Sequence, residues 1–187
     1  MSDLPLRGSY SIFYDVSKLD EIAINLFYGW GYNFYRLENQ LRADDQLIRR
    51  HVGHLLGASR SMLEAQQADY RQKNIKPPTR GKPFPEQAIL DNVETLAALS
   101  HATGQIEGAV RGMPVPENDR MTQRYRQEAE TLGRLCELDQ HLVGQAETLR
   151  QMIEGKDADA LLEHAADLRQ GFAAMTQTIR DRQALLL

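Results

Sequence analysis

Residues 135–186 read LCELDQHLVGQAETLRQMIEGKDADALLEHAADLRQGFAAMTQTIRDRQALL, and their periodicity decides the fold. Leu161, Ala165, Leu168, Phe172, Met175, Ile179 and, past a polar step at Arg182, Leu186 recur at steps of three and four. That spacing lines up side chains along one stripe of an α-helix. Leu135, Leu138, Leu142, Ala146, Leu149 and Ile153 form a matching stripe ahead of them. Between the two, EGKD at 154–157 supplies Gly155 to end one helix and Asp157 to cap the next. Folding about this turn predicts a helical hairpin with a coiled-coil-like seam, Leu149 near Leu162 and Leu135 near Met175. Asp139 falls at the edge of the seam, where it reads as a flank or a partner for an arginine rather than a general base.

Working outward, the same helical period continues. PVPEN at 114–118 precedes a helix expected from about Glu117 to Ile153. A helix from about Pro85 to Met113 carries Ile89, Val93, Leu96, Leu99, Ile106 and Val110, and one from Asp44 or Asp45 towards Tyr70 carries Ile48, Val52, Leu55, Met62 and Leu63. Between them NIKPPTRGKPFP, at 74–85, holds four prolines and a glycine, which forbid a continuing helix. The first helix is expected over Ser17 to Leu41, with Ser17 as N-cap and Asp20 three residues on. No alternating strand pattern is present. The fold predicted is all-α: an up-and-down bundle of four long antiparallel helices plus an aromatic-rich N-terminal helix. It forms a single domain over 1–187, with parts at 1–73, 86–113 and 117–187.

Two rows of small residues bear on how these helices pack. Gly53, Gly57 and Ser61 recur every four residues, as do Ser100, Gly104, Gly108 and Gly112. Each interior glycine costs about 1 kcal/mol of helix propensity relative to alanine, so a close approach of two backbones is expected to offset the loss. A connector centred near residues 79–80 would bring Gly53 and Gly57 opposite Gly104 and Gly108, within a turn. A slot for a flat ligand, or for a helix of a second subunit, is the alternative use of the same surface.

The aromatic residues are uneven. Nine of thirteen lie in the first 35 positions, and Phe27, Tyr28, Trp30, Tyr32, Phe34 and Tyr35 point all round a helix, so one face cannot bury them all. Either the Tyr10–Tyr14 strap folds over them, or Phe27, Tyr28, Trp30, Tyr32 and Tyr35 form a partner-binding surface, aromatic rings being enriched at interface centres.

The search for chemistry returns little. The Walker, dinucleotide and nucleophile-elbow glycine patterns are all absent. His51 and His54 are three apart, and the register above would bring His101 towards them, a trio that could hold a divalent metal or small ligand. No glutamate stands three positions before any histidine, so the di-iron bundle pattern is missing. Cys136 has His141 five residues along the same helix, which points the two apart. In the connector, Lys76, Arg80 and Lys82 within an acid-free stretch form a candidate anion-binding loop, and its PPTRGKP core favours extended polyproline geometry.

Charge and composition bound the rest. A net charge of −4 argues against a dedicated nucleic-acid binder. The acid is concentrated late, with 13 Asp/Glu against 9 Lys/Arg over 113–187. The single cysteine cannot form an internal disulfide, which suits a reducing compartment. No signal-peptide pattern or membrane-spanning run is visible, so a cytoplasmic location is expected. No cofactor is implied. The function expected is a non-enzymatic helical interaction protein (adaptor, chaperone or assembly component) that self-associates as a homo-oligomer, without membrane or nucleic-acid partners. The alternative is a helical-bundle enzyme or sensor binding a metal or small ligand between the helices over 44–70 and 85–113.

Overall fold

The computed structural model describes residues 15, 17–19, 21–23, 41–113 and 128–186. They form α1 (Leu41–Asn74), α2 (Gln87–Arg111), α3 (Glu128–Ile153), α4 (Ala158–Glu163) and α5 (Ala165–Leu186), preceded by helical residues at 17–19 and 21–23. No described residue lies in a strand, and the one β-bridge among them joins Thr79 to Lys82. No described helix is long and apolar enough to cross a membrane.

Each helix end has a local cause. At the N-terminus Asp15, rather than Ser17, is the cap: its Oδ1 accepts from the Lys18 N–H, and its carbonyl accepts from Leu19. Asp15 precedes the described helical residues, so it satisfies a donor that Ser17, already helical, does not. α1 runs to Asn74, whose side-chain amide donates to the Tyr70 carbonyl, and Pro77 and Pro78 follow. α2 starts at Gln87, two residues later than expected, because Glu86 is still extended (φ −65, ψ 138). It stops where the Gly112 N–H bonds back to the Gly108 carbonyl.

The turn after α3 forms as the sequence predicts. Gly155 takes a φ of +69, a conformation in which a side chain would be strained, and Asp157 Oδ1 accepts from the Ala160 N–H at 2.9 Å. The helix beyond it is not continuous. His164 (φ −96, ψ 13) separates α4 from α5, and its Nδ1 stands 3.4 Å from Asp167 Oδ2. α4 turns aside to pack on α1 and α2, so α5 meets α3 further along its length. Hence Asp139 pairs with Arg182, about ten residues beyond the position an unbroken hairpin would give it.

α1 packs along α2, and α3 along α5; α1 also contacts α3, and α2 contacts α5. All four contribute to one apolar core that includes Ile48, Val52, Leu63, Leu96, Leu99, Leu142, Leu149, Leu168, Phe172 and Met175. Most of the predicted stripe positions are buried: Leu135, Leu142, Ala146, Leu149 and Ile153 on α3, with Leu138 only half-buried, and Leu161, Ala165, Leu168, Phe172, Met175 and Ile179 on α4 and α5. On α3 the coverage is complete from Leu142 to Leu149, eight successive buried residues, a pattern that only a helix enclosed on every side can show. Two of its polar members are satisfied locally: the Thr148 hydroxyl donates to the Gly144 carbonyl, and Glu147 accepts from Arg150 and Gln151. Burial pushes the Glu147 carboxyl upward, but those hydrogen bonds and the Arg150 charge outweigh it and hold the group below its ordinary value. The stability it contributes is present above the usual glutamate range and is lost as pH falls through the lower folded value.

The 17–23 stretch lies against this helix. Leu19 and Ala23 are buried, and the Leu19 backbone comes so near Gly144 that a Cβ there would stand 2.8 Å from the Leu19 carbonyl oxygen. The close backbone approach expected of the glycine rows therefore occurs at Gly144, outside both rows.

The rows themselves lie along the α1–α2 contact, but a Cβ on Gly53, Gly57 or Gly104 would meet opposing side chains rather than backbone. A Cβ on Gly53 would meet the Arg111 guanidinium at 3.4 Å, one on Gly57 the Glu107 carboxylate at 3.7 Å, and one on Gly104 the Arg60 side chain at 3.5 Å. The pairing is shifted about five positions from the register expected of a connector centred near residues 79–80. Gly53, Gly57 and Gly104 instead each seat a long charged side chain of the opposite helix. Gly108 is exposed and a Cβ on it would meet nothing within 4 Å. Gly108→Ala is accordingly expected to stabilise the protein by about 0.5–1 kcal/mol, the helix-propensity gain alone, read as a rise in the thermal unfolding midpoint.

Candidate functional site

The connector between α1 and α2 is a clasped turn. Thr79 and Lys82 exchange two backbone hydrogen bonds of 3.1 Å, and Lys82 N–H also donates to the Thr79 hydroxyl at 3.3 Å. This puts Arg80 and Gly81 at the tip, a tighter conformation than continuous polyproline, with Pro77–Pro78 and Pro83 stiffening the two legs. Lys76, Arg80 and Lys82 are all exposed. Lys82 Nζ stands 3.7 Å from Glu86, with both side chains largely in water, where such a pair contributes little. The sequence reading passed over Phe84. Held between Pro83 and Pro85, it is 84% exposed, and the other exposed large apolar residue among those described is Leu90, 38% exposed in the second turn of α2. The signal was present, a lone aromatic between two prolines, but its burial is a tertiary property.

Along the outer edge of α1 and α2 runs a ladder of charge that the glycine spacing makes room for. The Ser100 hydroxyl donates to Glu64 at 3.4 Å; Arg60 lies 3.4 Å from Glu64 and 3.3 Å from Glu107; Arg111 grips Glu107 through Nη2 at 2.8 Å and Nε at 3.1 Å. Further along, Arg49 donates to the Met113 carbonyl, and Asn92 donates to the Tyr70 hydroxyl at 2.8 Å. The space between these helices is thus filled by core side chains and by this ladder.

The histidines fall on the same two helices. His54 and His101 are exposed and His51 is half-buried. Among the described residues no three His, Cys, Asp or Glu side chains form a group that could hold a metal ion. Burial, followed by the nearby His54 and Arg50, holds the His51 imidazole below its usual 6.5. The folded state therefore binds fewer protons at this position than the unfolded chain, so stability falls as pH drops through 6.5. Thermal midpoints taken from mildly alkaline to mildly acid buffer are expected to show this decline in the wild type and to show less of it in His51→Asn.

Two further features lie on the other side of the molecule. An open groove of about 420 Å³ separates α2 from α5, floored by Ile106, Phe172 and Ile179, with Ala102, Ala109 and Ala173 beside them and Arg180 at its edge. Between α3 and α5, Asp139 and Arg182 are both fully buried and meet at 2.6 Å, the arginine partnership that the seam position of Asp139 suggests. Cys136 is half-buried and in no disulfide. The aromatic residues Phe27, Tyr28, Trp30, Tyr32 and Tyr35, and with them the Tyr10–Tyr14 strap, lie outside the described residues. No protein-family model, no curated protein and no solved structure matches the chain.

Proposed function

We propose that the chain is a non-enzymatic interaction protein, an adaptor or assembly component that self-associates, built on four long helices (α1, α2, α3 and α5) running up and down. The observation that carries this is Phe84: a large aromatic side chain 84% in water, on a turn clasped by two backbone hydrogen bonds and stiffened by prolines. Leaving so much apolar surface in water is unfavourable, whereas an aromatic on a pre-ordered loop loses little entropy when a partner covers it. Aromatic anchors of this kind dominate interface energetics. The exposed ring and its cationic neighbours together match a contact surface, an apolar centre beside a charged rim. A reducing compartment such as the cytoplasm suits the lone Cys136 thiol, and the aromatic residues of 27–35 would offer a second contact surface.

Sedimentation of the wild type over a range of concentrations tests the proposal. A mass above that of one chain that rises with concentration is expected, and Phe84→Ser should weaken the association by about thirtyfold while leaving the helical signal and melting temperature unchanged. A wild type that stays a single chain at every concentration, or a Phe84→Ser protein that associates as well as the wild type, would overturn it.

A further inference from the structure

The surroundings of Phe84 carry two opposite charges side by side. On the hairpin, Lys76, Arg80 and Lys82 are exposed. On α4, Asp159 and Glu163 are exposed and, four residues apart, share one face of the helix, while Ala158 and Leu161 are buried beneath them. α4 packs on both α1 and α2, the helices that the hairpin joins, and its first turn lies within electrostatic reach of Lys73, in the last turn of α1 before the hairpin, so the two patches share one end of the molecule. Lys73 in the last turn of α1 shows the same proximity: Asp69 acts on it most strongly, and Asp157 and Asp159 also raise its pKa.

A basic patch beside an acidic patch on one surface is self-complementary under a two-fold rotation. Turning a second copy about an axis between the patches sets each hairpin on the other copy's α4, and both ion-pair sets form at once. Near such an axis the two Phe84 rings supply the apolar centre that the charged rim lacks. The groove between α2 and α5 offers the hairpin no such match, since the charged residue lining it is Arg180.

We infer that the partner is a second copy of this chain, docked end to end on a two-fold axis, with Arg80 and Lys82 of each copy against Asp159 and Glu163 of the other. This rests on the self-association proposed above and adds the surface and its chemistry. The association is electrostatic at its rim and weakens with salt, which the burial of Phe84 alone would not produce.

Reciprocal charge reversal is the test. Arg80→Glu/Lys82→Glu and Asp159→Lys/Glu163→Lys are each expected to weaken self-association at least about tenfold, from like charges set against each other across the interface. An equimolar mixture of the two proteins should recover association close to the wild type, now as a mixed pair. Circular dichroism melts confirm that each variant is folded. Glu163→Lys alone, an exposed site, gives a smaller shift of the same sign if the double variant does not fold. If the wild type and Phe84→Ser behave as proposed while neither reversal changes the association, or if the mixture fails to recover it, the end-to-end arrangement is overturned and the self-association reading stands. Loss of the Phe84 effect itself strikes the reading instead.

Discussion

Asp139→Ala is expected to destabilise the protein by about 3–5 kcal/mol, the largest effect of any single substitution considered. The carboxylate meets Arg182 at 2.6 Å with both side chains fully buried. Removing it takes a carboxylate away from a buried guanidinium, which cannot shed its charge at any ordinary pH. The loss includes the cost of a buried charge deprived of this carboxylate as well as the worth of the pair, and a second substitution separates the two. In Asp139→Leu/Arg182→Met the charge is gone from both helices, and because desolvation offsets most of a buried pair's attraction, the double variant is expected to recover most or all of the stability. Urea unfolding of the wild type, both single variants and the double variant closes the cycle. A single-variant loss under about 1 kcal/mol would mean that the pair is as weak as one on the surface.

The second large effect is expected at Gly144. A Cβ at that position would stand 2.8 Å from the Leu19 carbonyl oxygen and 2.9 Å from its Cα, and backbone has no flexible end to swing away. Gly144→Ala gains about 1 kcal/mol in helix propensity and loses more to overpacking, for a net destabilisation of about 1–2 kcal/mol. Gly144→Leu cannot be accommodated without lifting the 17–23 stretch off α3, which uncovers Leu19 and Ala23, both buried. Protease sensitivity near the N-terminus should then rise while the melting transition of the remaining helices persists. Set against the stabilisation expected of Gly108→Ala, the contrast separates a glycine required by a neighbour from one that merely has room.

The residues show why parts of this architecture could be read ahead of the structure and parts could not. The α3 turn was legible because everything it needs is local: Gly155 for a positive φ and Asp157 for a cap. The apolar stripes of α2, α3 and α5 were legible because the helical period is written directly into the spacing. The break at His164 was not, since the seam runs through it without interruption and only the packing of α4 on α1 and α2 turns the chain aside. Glycine spacing announced that α1 and α2 carry a surface without bulk. It could not say whether the opposite helix fills the space with its backbone or with the stems of Arg60, Glu107 and Arg111, because both leave the same pattern. Gly144, alone in its helix turn, made no pattern at all. For the candidate site, Lys76, Arg80 and Lys82 were readable as an acid-free run, while Phe84 passed as part of a proline-rich connector until its exposure was known.

Eight consecutive residues of α3 with no solvent-facing member leave that segment no private route of opening. A peptide N–H between Leu142 and Leu149 can reach deuterium only when neighbouring elements have already let go, so its exchange rate reports the whole molecule's unfolding equilibrium rather than a local one. The same enclosure makes this stretch the poorest place in the chain for a label or an insertion, and the natural internal gauge against which the gain at Gly108 and the losses at Asp139 and Gly144 can be compared.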